Sequence, residues 1–298
     1  MKPANKLTLD QNDHEIAQLV EILKTAIQLL KRPIRIVFYN FKGGVAKTTT
    51  VDEVGKLLRK AGVRVLFIDC DAQANLTETK FNVARPTYTI GDVIGENHVP
   101  ISEAIIEIDE NTSIVPSSDD LTEVVNWLTV EEWLDNEKRE LLGLPTVKRK
   151  DRAIYNLDKA TQSLTLEQAE VILFDPSPGA DMLNFSVLTA ADILIFPTQT
   201  EPESFAGLKK TWKAIEKAQR RNKNIAHALG WIATFVRLET KLHELNFGIV
   251  TNFAEEKELH YLGQTRPHYG KDQKEWFQYY YGEITIQLLK TVNTALGL

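Results

Sequence analysis

The chain has 298 residues, of which 43% are apolar and 26% are charged, with 15 glycines and 11 prolines. This length and composition suit a folded protein with a large core, and they exclude a disordered or collagen-like chain. The formal charge is −6, so binding to nucleic acid or anionic lipid requires a local basic patch. The single cysteine, Cys70, excludes a disulfide framework and a paired-thiolate metal site, and it indicates a reducing compartment.

The sequence shows no signal for membrane insertion or secretion. No stretch approaches the roughly 18 consecutive apolar residues of a membrane span. The N-terminus is polar and lacks the charged region followed by an apolar region that marks a secretion signal. We therefore expect a cytoplasmic protein with no membrane span.

Residues 1–33 are predicted to form a polar lead-in, over residues 1–12, and then one amphipathic helix. Apolar side chains recur at helical spacing from Ile16 to Leu30, and Pro33 ends the pattern. We expect this helix to pack on its own domain or on a partner subunit rather than on DNA. Residues 34–298 are expected to form a single domain.

Apolar runs that alternate with helix-like segments predict the rest of the fold. Strands are predicted at residues 34–38, 63–68, 101–108, 113–115, 171–174, 193–196 and 231–235. Strand and helix in alternation are typical of an α/β fold, here a twisted, mainly parallel β-sheet with helices on both faces. In such a fold, ligands bind at the carboxyl ends of the strands.

The first predicted strand leads into a glycine-bearing turn and then into a helix. Backbone N–H groups and the positive end of the helix dipole converge at such a turn, which favours an anion. Lys47 supplies a charge for the β and γ phosphates, and the hydroxyl of Thr48 can bind a phosphate-bound Mg²⁺. The alternative is a turn that binds nothing.

Two later apolar runs end in carboxylates. Asp69 and Asp71 follow residues 65–68, and Asp175 follows residues 171–174. Asp175 is typical of a Walker B aspartate that holds Mg²⁺ through water. The alternative for Asp69 and Asp71 is a pair of solvated loop acids.

The run Lys-Gly-Gly-Val-Ala-Lys-Thr-Thr at residues 42–49 resembles the deviant Walker A box of the ParA/MinD family. Residues 69–75 are similar to the second box of that family, with Ala72 and Ala74 replacing the usual proline and glycine. Similar segments follow in order over residues 34–240. The resemblance implies a P-loop NTPase of the deviant Walker A type, an ATPase with weak intrinsic turnover that uses ATP and Mg²⁺.

The resemblance also implies which residues bind the nucleotide. The residues of the first box are Lys42, Gly43, Gly44, Val45, Ala46, Lys47, Thr48 and Thr49. In this family the adenine contacts lie near late loops, which makes Arg266 and Pro267 candidates here.

Further roles follow from the same resemblance. Two ATP-bound subunits would face one another, and Lys42 of each would reach the phosphates of the other. Asp71 would position or activate the attacking water. Thr48, Asp69 and Asp175 would hold the Mg²⁺ with its water shell.

A basic helix is the candidate surface for nucleic acid. Residues 204–223 carry seven basic side chains against one acid, a local charge of +6 in a protein of −6. Helical spacing puts Phe205, Leu208, Trp212 and Ile215 on one face and most of the basic residues on the other. The predicted DNA contacts are Lys209, Lys210, Lys213, Lys217, Arg220 and Arg221. The alternative is a solvated helix face that binds nothing.

The function implied by the resemblance is ATP-dependent dimerisation, sequence-independent DNA binding, and partition or positioning of a DNA or protein cargo. An adaptor or centromere-binding protein would stimulate hydrolysis, and the ATP-bound protein would associate with the nucleoid. One alternative is a MinD-like ATPase that cycles on a membrane, although the C-terminal helix has only Lys290 as a cation. Another is a nucleotide-gated DNA-binding or scaffold protein with negligible turnover.

Overall fold

The computed structural model describes residues 6–134, 136–148, 152–221, 226–237, 241–266 and 273–298. Its strands are β1 (Ile34–Phe38), β2 (Val65–Cys70), β3 (Ile106–Asp109), β4 (Thr112–Val115), β5 (Val171–Pro176), β6 (Ile193–Gln199), β7 (His227–Thr234) and β8 (His260–Gln264). Its α-helices are α1 (Lys6–Leu30), α2 (Lys47–Lys60), α3 (Ile90–Ile94), α4 (Ile101–Ala104), α5 (Leu121–Trp133), α6 (Asn136–Leu141), α7 (Asn156–Gln162), α8 (Met182–Ala190), α9 (Pro202–Arg221), α10 (Lys241–Glu256) and α11 (Gln273–Ala295).

The strands of the described residues form one sheet in the order β3-β4-β2-β5-β1-β6-β7-β8. The β3–β4 pair is antiparallel, and the other neighbouring strands pair in parallel. β1, β2 and β5 are buried along their whole length, as expected for parallel strands covered on both faces. The predicted α/β fold with a mainly parallel sheet is confirmed.

Alternate residues of the strands face two separate helix layers. In β1, Ile36 and Phe38 belong to a core cluster with α1, α2 and α11, whereas Val37 belongs to a cluster with α5, α8 and α9. This alternation follows from the two-residue repeat of a strand. The sheet therefore has helices on both faces, and the phosphate loop, the loop between β1 and α2, emerges at its carboxyl edge.

The two terminal helices pack against each other on one face of the sheet. Asn293 of α11 donates a hydrogen bond to the carbonyl oxygen of Leu19 at 3.1 Å, and Lys290 pairs with Glu15 at 2.7 Å. The helix predicted from Ile16 begins earlier, at Lys6, so residues 6–12 are helical rather than a lead-in. Among these early residues, Asn12 lies against α11, where a Cβ on Gly282 would come within 2.6 Å of the Asn12 amide nitrogen.

The prediction of one strand over residues 101–108 was wrong. The segment forms the short helix α4 and then strand β3. Ile101 and Ala104 are buried while Ser102 and Glu103 between them are exposed, which is a three-residue helical spacing. Pro100 precedes the helix, where its fixed φ and missing N–H suit a first turn.

No helix in the described ranges is both long enough and apolar enough to cross a membrane.

Candidate nucleotide site

A cavity of about 700 Å³ opens at the carboxyl edge of the sheet. The phosphate loop forms one part of its wall, and the segments that follow β2 and β5 form two others. The apolar side chains of Leu121, Val125, Leu183 and Phe235 complete the lining. A cavity of this size, with a basic loop and an apolar wall, suits a ligand that has both anionic and apolar parts.

Lys47 is buried inside the phosphate loop. Its Nζ lies 3.4 Å from the carbonyl oxygens of Asn40 and Lys42, so the loop curls around the ammonium group. Burial lowers the pKa of Lys47, and the nearby charges of Asp175 and Asp71 oppose that shift. This cation at the start of α2, where backbone N–H groups also point outward, is suited to hold phosphate oxygens.

The backbone of the loop turns through left-handed residues. Gly44 has a φ of 72°, and Ala46 has a φ of 64° just before α2 begins. Gly43 lies against Pro178, to which an added Cβ would come within 3.7 Å. Residues Gly43, Gly44, Ala46, Lys47, Thr48 and Thr49 line the cavity, whereas the side chain of Val45 is fully buried.

Lys42 does not line the cavity. Its Nζ contacts three groups from the end of β6 and the start of α9: Gln199 Oε1 at 3.2 Å, Glu201 Oε2 at 3.2 Å and Ser204 Oγ at 2.8 Å. Gln199 also donates to the carbonyl oxygen of Gly44 at 2.8 Å. We call Gln199, Glu201 and Ser204 the lysine cage.

Sequence reasoning missed the lysine cage. Its members lie at the last position of β6 and just after it, and a polar run at the end of a parallel strand is the available signal, because such positions lie at the ligand edge of the sheet. That signal places the run near the site. It does not indicate contact with Lys42, which is separated from Glu201 by 159 positions in the chain.

Asp175 is the carboxylate that best fits a metal. It is 1% exposed, and neither oxygen has a hydrogen bond of good geometry within the described residues. Burial and the charge of Asp69 raise the pKa of Asp175 well above its ordinary value, and a loose contact with the Thr48 hydroxyl and the charge of Lys47 oppose this shift. A buried, unpaired carboxylate beside a hydroxyl is an oxygen donor set of the kind that Mg²⁺ prefers, so these residues fit the ion.

Asp69, like Asp175, is not among the residues that line the cavity, and both of its oxygens accept hydrogen bonds, so its metal role stays a prediction. One oxygen accepts hydrogen bonds from the Thr77 backbone N–H at 2.9 Å and from the Thr77 hydroxyl at 2.7 Å, and the other accepts one from the Asp71 N–H at 3.2 Å. Burial raises the pKa of Asp69 to about 6, although the Thr77 hydrogen bonds lower it. Asp69 pairs with Asp175 in the register of β2 and β5, so it lies beside the metal candidate and holds the following turn.

Asp71 does line the cavity, one residue after β2 ends. One of its oxygens accepts a hydrogen bond from the Gln73 N–H at 3.0 Å, which orients the carboxylate within its own turn. Half-buried and next to the phosphate loop, Asp71 is placed to contact a water molecule in the cavity.

Of the two predicted adenine contacts, only Arg266 is among the described residues, and it is not brought to the cavity. Arg266 is not among the residues that line it, and Pro267 lies outside the described residues. Instead Phe235, at the end of β7, reaches the cavity with a φ of 53°. Thr265 holds this turn by accepting hydrogen bonds from Phe235 N at 3.1 Å and Val236 N at 2.8 Å.

The basic helix α9 packs as predicted. Leu208 and Ile215 are fully buried, and Phe205 and Trp212 pack beside them in the same cluster. Lys209, Lys210 and Lys213 are exposed, and the side chains of Lys217, Arg220 and Arg221 lie outside the described part of the helix. The apolar stripe is thus core, while DNA binding by the opposite face stays a prediction.

The helix α9 is also joined to the phosphate loop. Phe41 N donates a hydrogen bond to Thr211 Oγ1 at 3.0 Å, and Thr211 in turn donates to the Gly207 carbonyl oxygen at 2.9 Å. Gly207 allows this approach, because a Cβ there would come within 3.2 Å of Lys42 Cβ. One helix therefore carries the exposed lysines, contributes to the lysine cage and contacts the loop.

Comparison with known proteins agrees with this geometry. A family model described as an AAA domain, AAA_31, matches residues 34–227. The chromosome-partitioning ATPase Soj of Treponema pallidum is 28% identical over 223 residues, which are 74% of this chain and 79% of that protein.

Two solved structures resemble the fold. A variant of Cyanothece McdA in complex with ATP aligns with a TM-score of 0.70 at 20% identity, over 90% of this chain and 98% of that one. Cobyrinic acid a,c-diamide synthase from Mycobacterium smegmatis, with bound ADP and magnesium, aligns with a TM-score of 0.68 at 24% identity, over 88% and 96%. The family match, the relative and the P-loop architecture agree, and the chain belongs to the ParA/MinD family of ATPases.

Proposed function

We propose that this ATPase forms an ATP-dependent dimer, binds DNA without sequence preference, and partitions or positions a DNA or protein cargo. A partner protein, an adaptor or a centromere-binding protein, would stimulate hydrolysis and so release the DNA. The protein would act in the cytoplasm and associate with the nucleoid when ATP is bound. By family, the chain is a ParA/Soj-like partition ATPase.

The observation that carries the proposal is the position of Ser204. This residue lies in the first turn of α9 and contacts Lys42 Nζ at 2.8 Å, and two turns later the same helix exposes Lys209, Lys210 and Lys213. If Lys42 leaves Ser204 to reach the nucleotide of a second subunit, α9 loses a contact at its base. Nucleotide-dependent pairing of subunits would thereby be coupled to the orientation of the basic face.

Different side chains of the site would perform different parts of ATP hydrolysis. Lys47 and the N–H groups at the start of α2 would hold the phosphates, and Asp71 would orient the attacking water. Thr48 and Asp175 would hold Mg²⁺, which when bound neutralises charge on the phosphate oxygens. Lys42 of the second subunit would add a positive charge where negative charge develops in phosphoryl transfer.

No contact in the described residues favours the membrane-cycling alternative. The apolar stripe of the C-terminal helix, which would have to face lipid, is used inside the protein. Ile284, Leu288 and Val292 are each at most 1% exposed and belong to the core cluster that includes α1. The scaffold alternative differs from our proposal in turnover and is separated from it by experiment.

DNA binding in ATP and in ADP is the direct test. We expect the Mg·ATP form to bind duplex DNA of arbitrary sequence at least tenfold more tightly than the Mg·ADP form, because a dimer doubles the number of phosphate contacts. Light scattering on the same samples should give a dimer in ATP and a monomer in ADP. Equal DNA affinity in both nucleotides would refute the nucleotide switch, and a switch without phosphate release would favour the scaffold.

A further inference from the structure

The residue before Lys47 has a backbone conformation that its side chain disfavours. Ala46 has φ 64° and ψ 31°, a left-handed conformation in which a Cβ crowds the following carbonyl and glycine is preferred. Ala46 also begins α2 without a capping side chain and lines the nucleotide cavity. Contacts from other residues must therefore stabilise this turn.

Thr50 supplies the first of these contacts. The Ala46 carbonyl oxygen accepts a hydrogen bond from Thr50 N at 2.9 Å and a second from Thr50 Oγ1 at 2.7 Å. The first bond is the ordinary helical one, whereas the second needs a hydroxyl at position 50. Because the Ala46 carbonyl and the Lys47 N–H share one peptide plane, fixing the oxygen also fixes the direction of that N–H.

Tyr281 of α11 supplies the second contact. Its Oη lies 3.2 Å from Thr50 Oγ1, and both residues are at most 1% exposed. A threonine hydroxyl has one proton, which Thr50 gives to Ala46, so Tyr281 must be the donor to Thr50. A tyrosine hydroxyl is protonated at neutral pH, and burial raises the pKa of Tyr281 further above its ordinary value.

We propose that Tyr281 and Thr50 are positioning residues for nucleotide binding, which hold Ala46 in its left-handed conformation through the relay Tyr281–Thr50–Ala46. The inference rests on nucleotide binding by the phosphate loop. It adds a dependence of that loop on α11, a helix of which no described side chain lines the cavity. Neither hydroxyl touches the nucleotide site directly, so both act through the backbone at position 46.

The test is a double-mutant cycle on Mg·ATP affinity measured by calorimetry in the full chain. Tyr281→Phe removes only the donated proton and should weaken binding by roughly three- to tenfold, the value of one hydrogen bond. Glycine adopts the left-handed conformation without penalty. In the Ala46→Gly background, Tyr281→Phe should therefore change the affinity by less than about twofold.

Two further variants make the cycle specific. Thr50→Val should weaken binding as Tyr281→Phe does, whereas Thr50→Ser keeps the hydroxyl and should restore most of the affinity. Thr285→Val is the matched control, because Thr285 is a fully buried residue of the same helix whose hydroxyl has no hydrogen bond within the described residues. It should leave the affinity unchanged.

The outcomes separate this inference from the proposed function. If the wild-type protein binds Mg·ATP, and Tyr281→Phe and Thr50→Val bind it with the same affinity, the relay is overturned and the proposed function is not. An equal loss for Tyr281→Phe in the wild-type and Ala46→Gly backgrounds also overturns it, because a general packing defect of α11 is independent of residue 46. Absence of Mg·ATP binding in the folded wild-type protein would overturn the proposed function and the relay together.

Discussion

Lys42 Nζ lies 3.2 Å from Glu201 Oε2 of the same chain, although the proposed role of Lys42 is at a second subunit. The two side chains are 27% and 44% exposed, so their attraction is moderate and is screened by salt. A lysine with an intramolecular partner must leave that partner before it can bind the phosphates of another chain. Under the proposed function, the Lys42–Glu201 pair would therefore compete with dimerisation.

Glu201→Gln should therefore promote the ATP-dependent dimer. Removing the carboxylate weakens the hold on each Lys42 by about 0.2–1 kcal/mol. Two such pairs break when the symmetric dimer forms, so the dimer should gain about 0.4–2 kcal/mol, which corresponds to a roughly 2- to 30-fold lower protein concentration at half-dimerisation. Light scattering over a concentration series in Mg·ATP measures this midpoint. Glu203→Gln makes the same charge change at an exposed position two residues away and should leave the midpoint in place.

Lys47→Ala should abolish Mg·ATP binding while the fold is retained. Loss of a charge-assisted contact with phosphate costs about 1.5–3 kcal/mol, and loss of the ammonium from the loop adds to this, so the affinity should fall at least about 10- to 100-fold. Calorimetry measures the affinity and thermal unfolding checks the fold. Unchanged affinity in a folded variant would remove Lys47 from the site.

Asp71→Ala and Lys42→Ala should separate chemistry from assembly. Without Asp71 the water loses its orienting carboxylate, so the variant should remain an ATP-bound dimer with turnover reduced about 100-fold or more. Without Lys42 the subunits lose their shared contact, and the protein should stay monomeric in ATP. Phosphate release and light scattering on both variants measure this, and a monomeric Asp71→Ala protein with full turnover would contradict the assignment.

Lys210→Gln with Lys213→Gln should weaken DNA binding in ATP. A plot of the logarithm of the binding constant against the logarithm of the salt concentration has a slope of about −0.9 for each lysine that contacts a phosphate of duplex DNA. The slope of the double variant should therefore be less steep than that of wild type by up to about 1.8. Filter binding across a salt series measures it. Lys60→Gln with Lys290→Gln is a control with the same charge change, since these residues lie on α2 and α11 at the other face of the sheet. Equal slopes in the two double variants would mean that α9 is a solvated face.

Asp192→Asn should destabilise the fold near neutral pH and less so in acid. Asp192 accepts hydrogen bonds from Arg32 at 2.8 Å and from Arg35 at 2.9 Å. Burial raises the pKa of Asp192, but the hydrogen bonds and the positive charges of Arg35 and Arg32 together outweigh this effect, so the net pKa lies below its ordinary value. The stabilisation is therefore complete above about pH 4 and is lost as the pH falls through the lowered pKa.

Urea unfolding at pH 7 should show a loss of about 1.5–3 kcal/mol for Asp192→Asn, because Arg35 loses one of its two carboxylate partners and keeps only Asp158, at 2.7 Å. The difference from wild type should shrink below pH 4. Asp119→Asn, at an exposed position, should show no such difference at either pH. A loss that is independent of pH would indicate packing rather than charge.

Local patterns in the sequence predicted the elements that build the site. The phosphate loop lies between a strand and a helix in one short segment, so its residue types and their spacing were sufficient to identify it. The burial of Leu208 and Ile215 on α9 followed in the same way from helical spacing.

What could not be predicted depends on tertiary contacts. Asp69 has the position of a metal ligand, yet one of its oxygens accepts hydrogen bonds from Thr77, eight residues later, and the other accepts one from the Asp71 N–H, in a turn that the residue pattern does not reveal. The contact of Glu201 with Lys42 depends on the path of a helix after a distant strand. The left-handed conformation of Ala46 is likewise supported from α11, at the other end of the chain.

The order of strands also affects how the protein acquires its structure during synthesis. Strand β1 pairs with β5 and β6, with Ile34 opposite Val171 and Ile36 opposite Ile193. The strand that leads into the phosphate loop therefore has neither neighbour until most of the chain has left the ribosome. Such distant pairing makes folding slow and leaves apolar β1 open to wrong association. Nucleotide added during refolding should therefore stabilise the completed sheet, and it should not speed up the early pairing of strands.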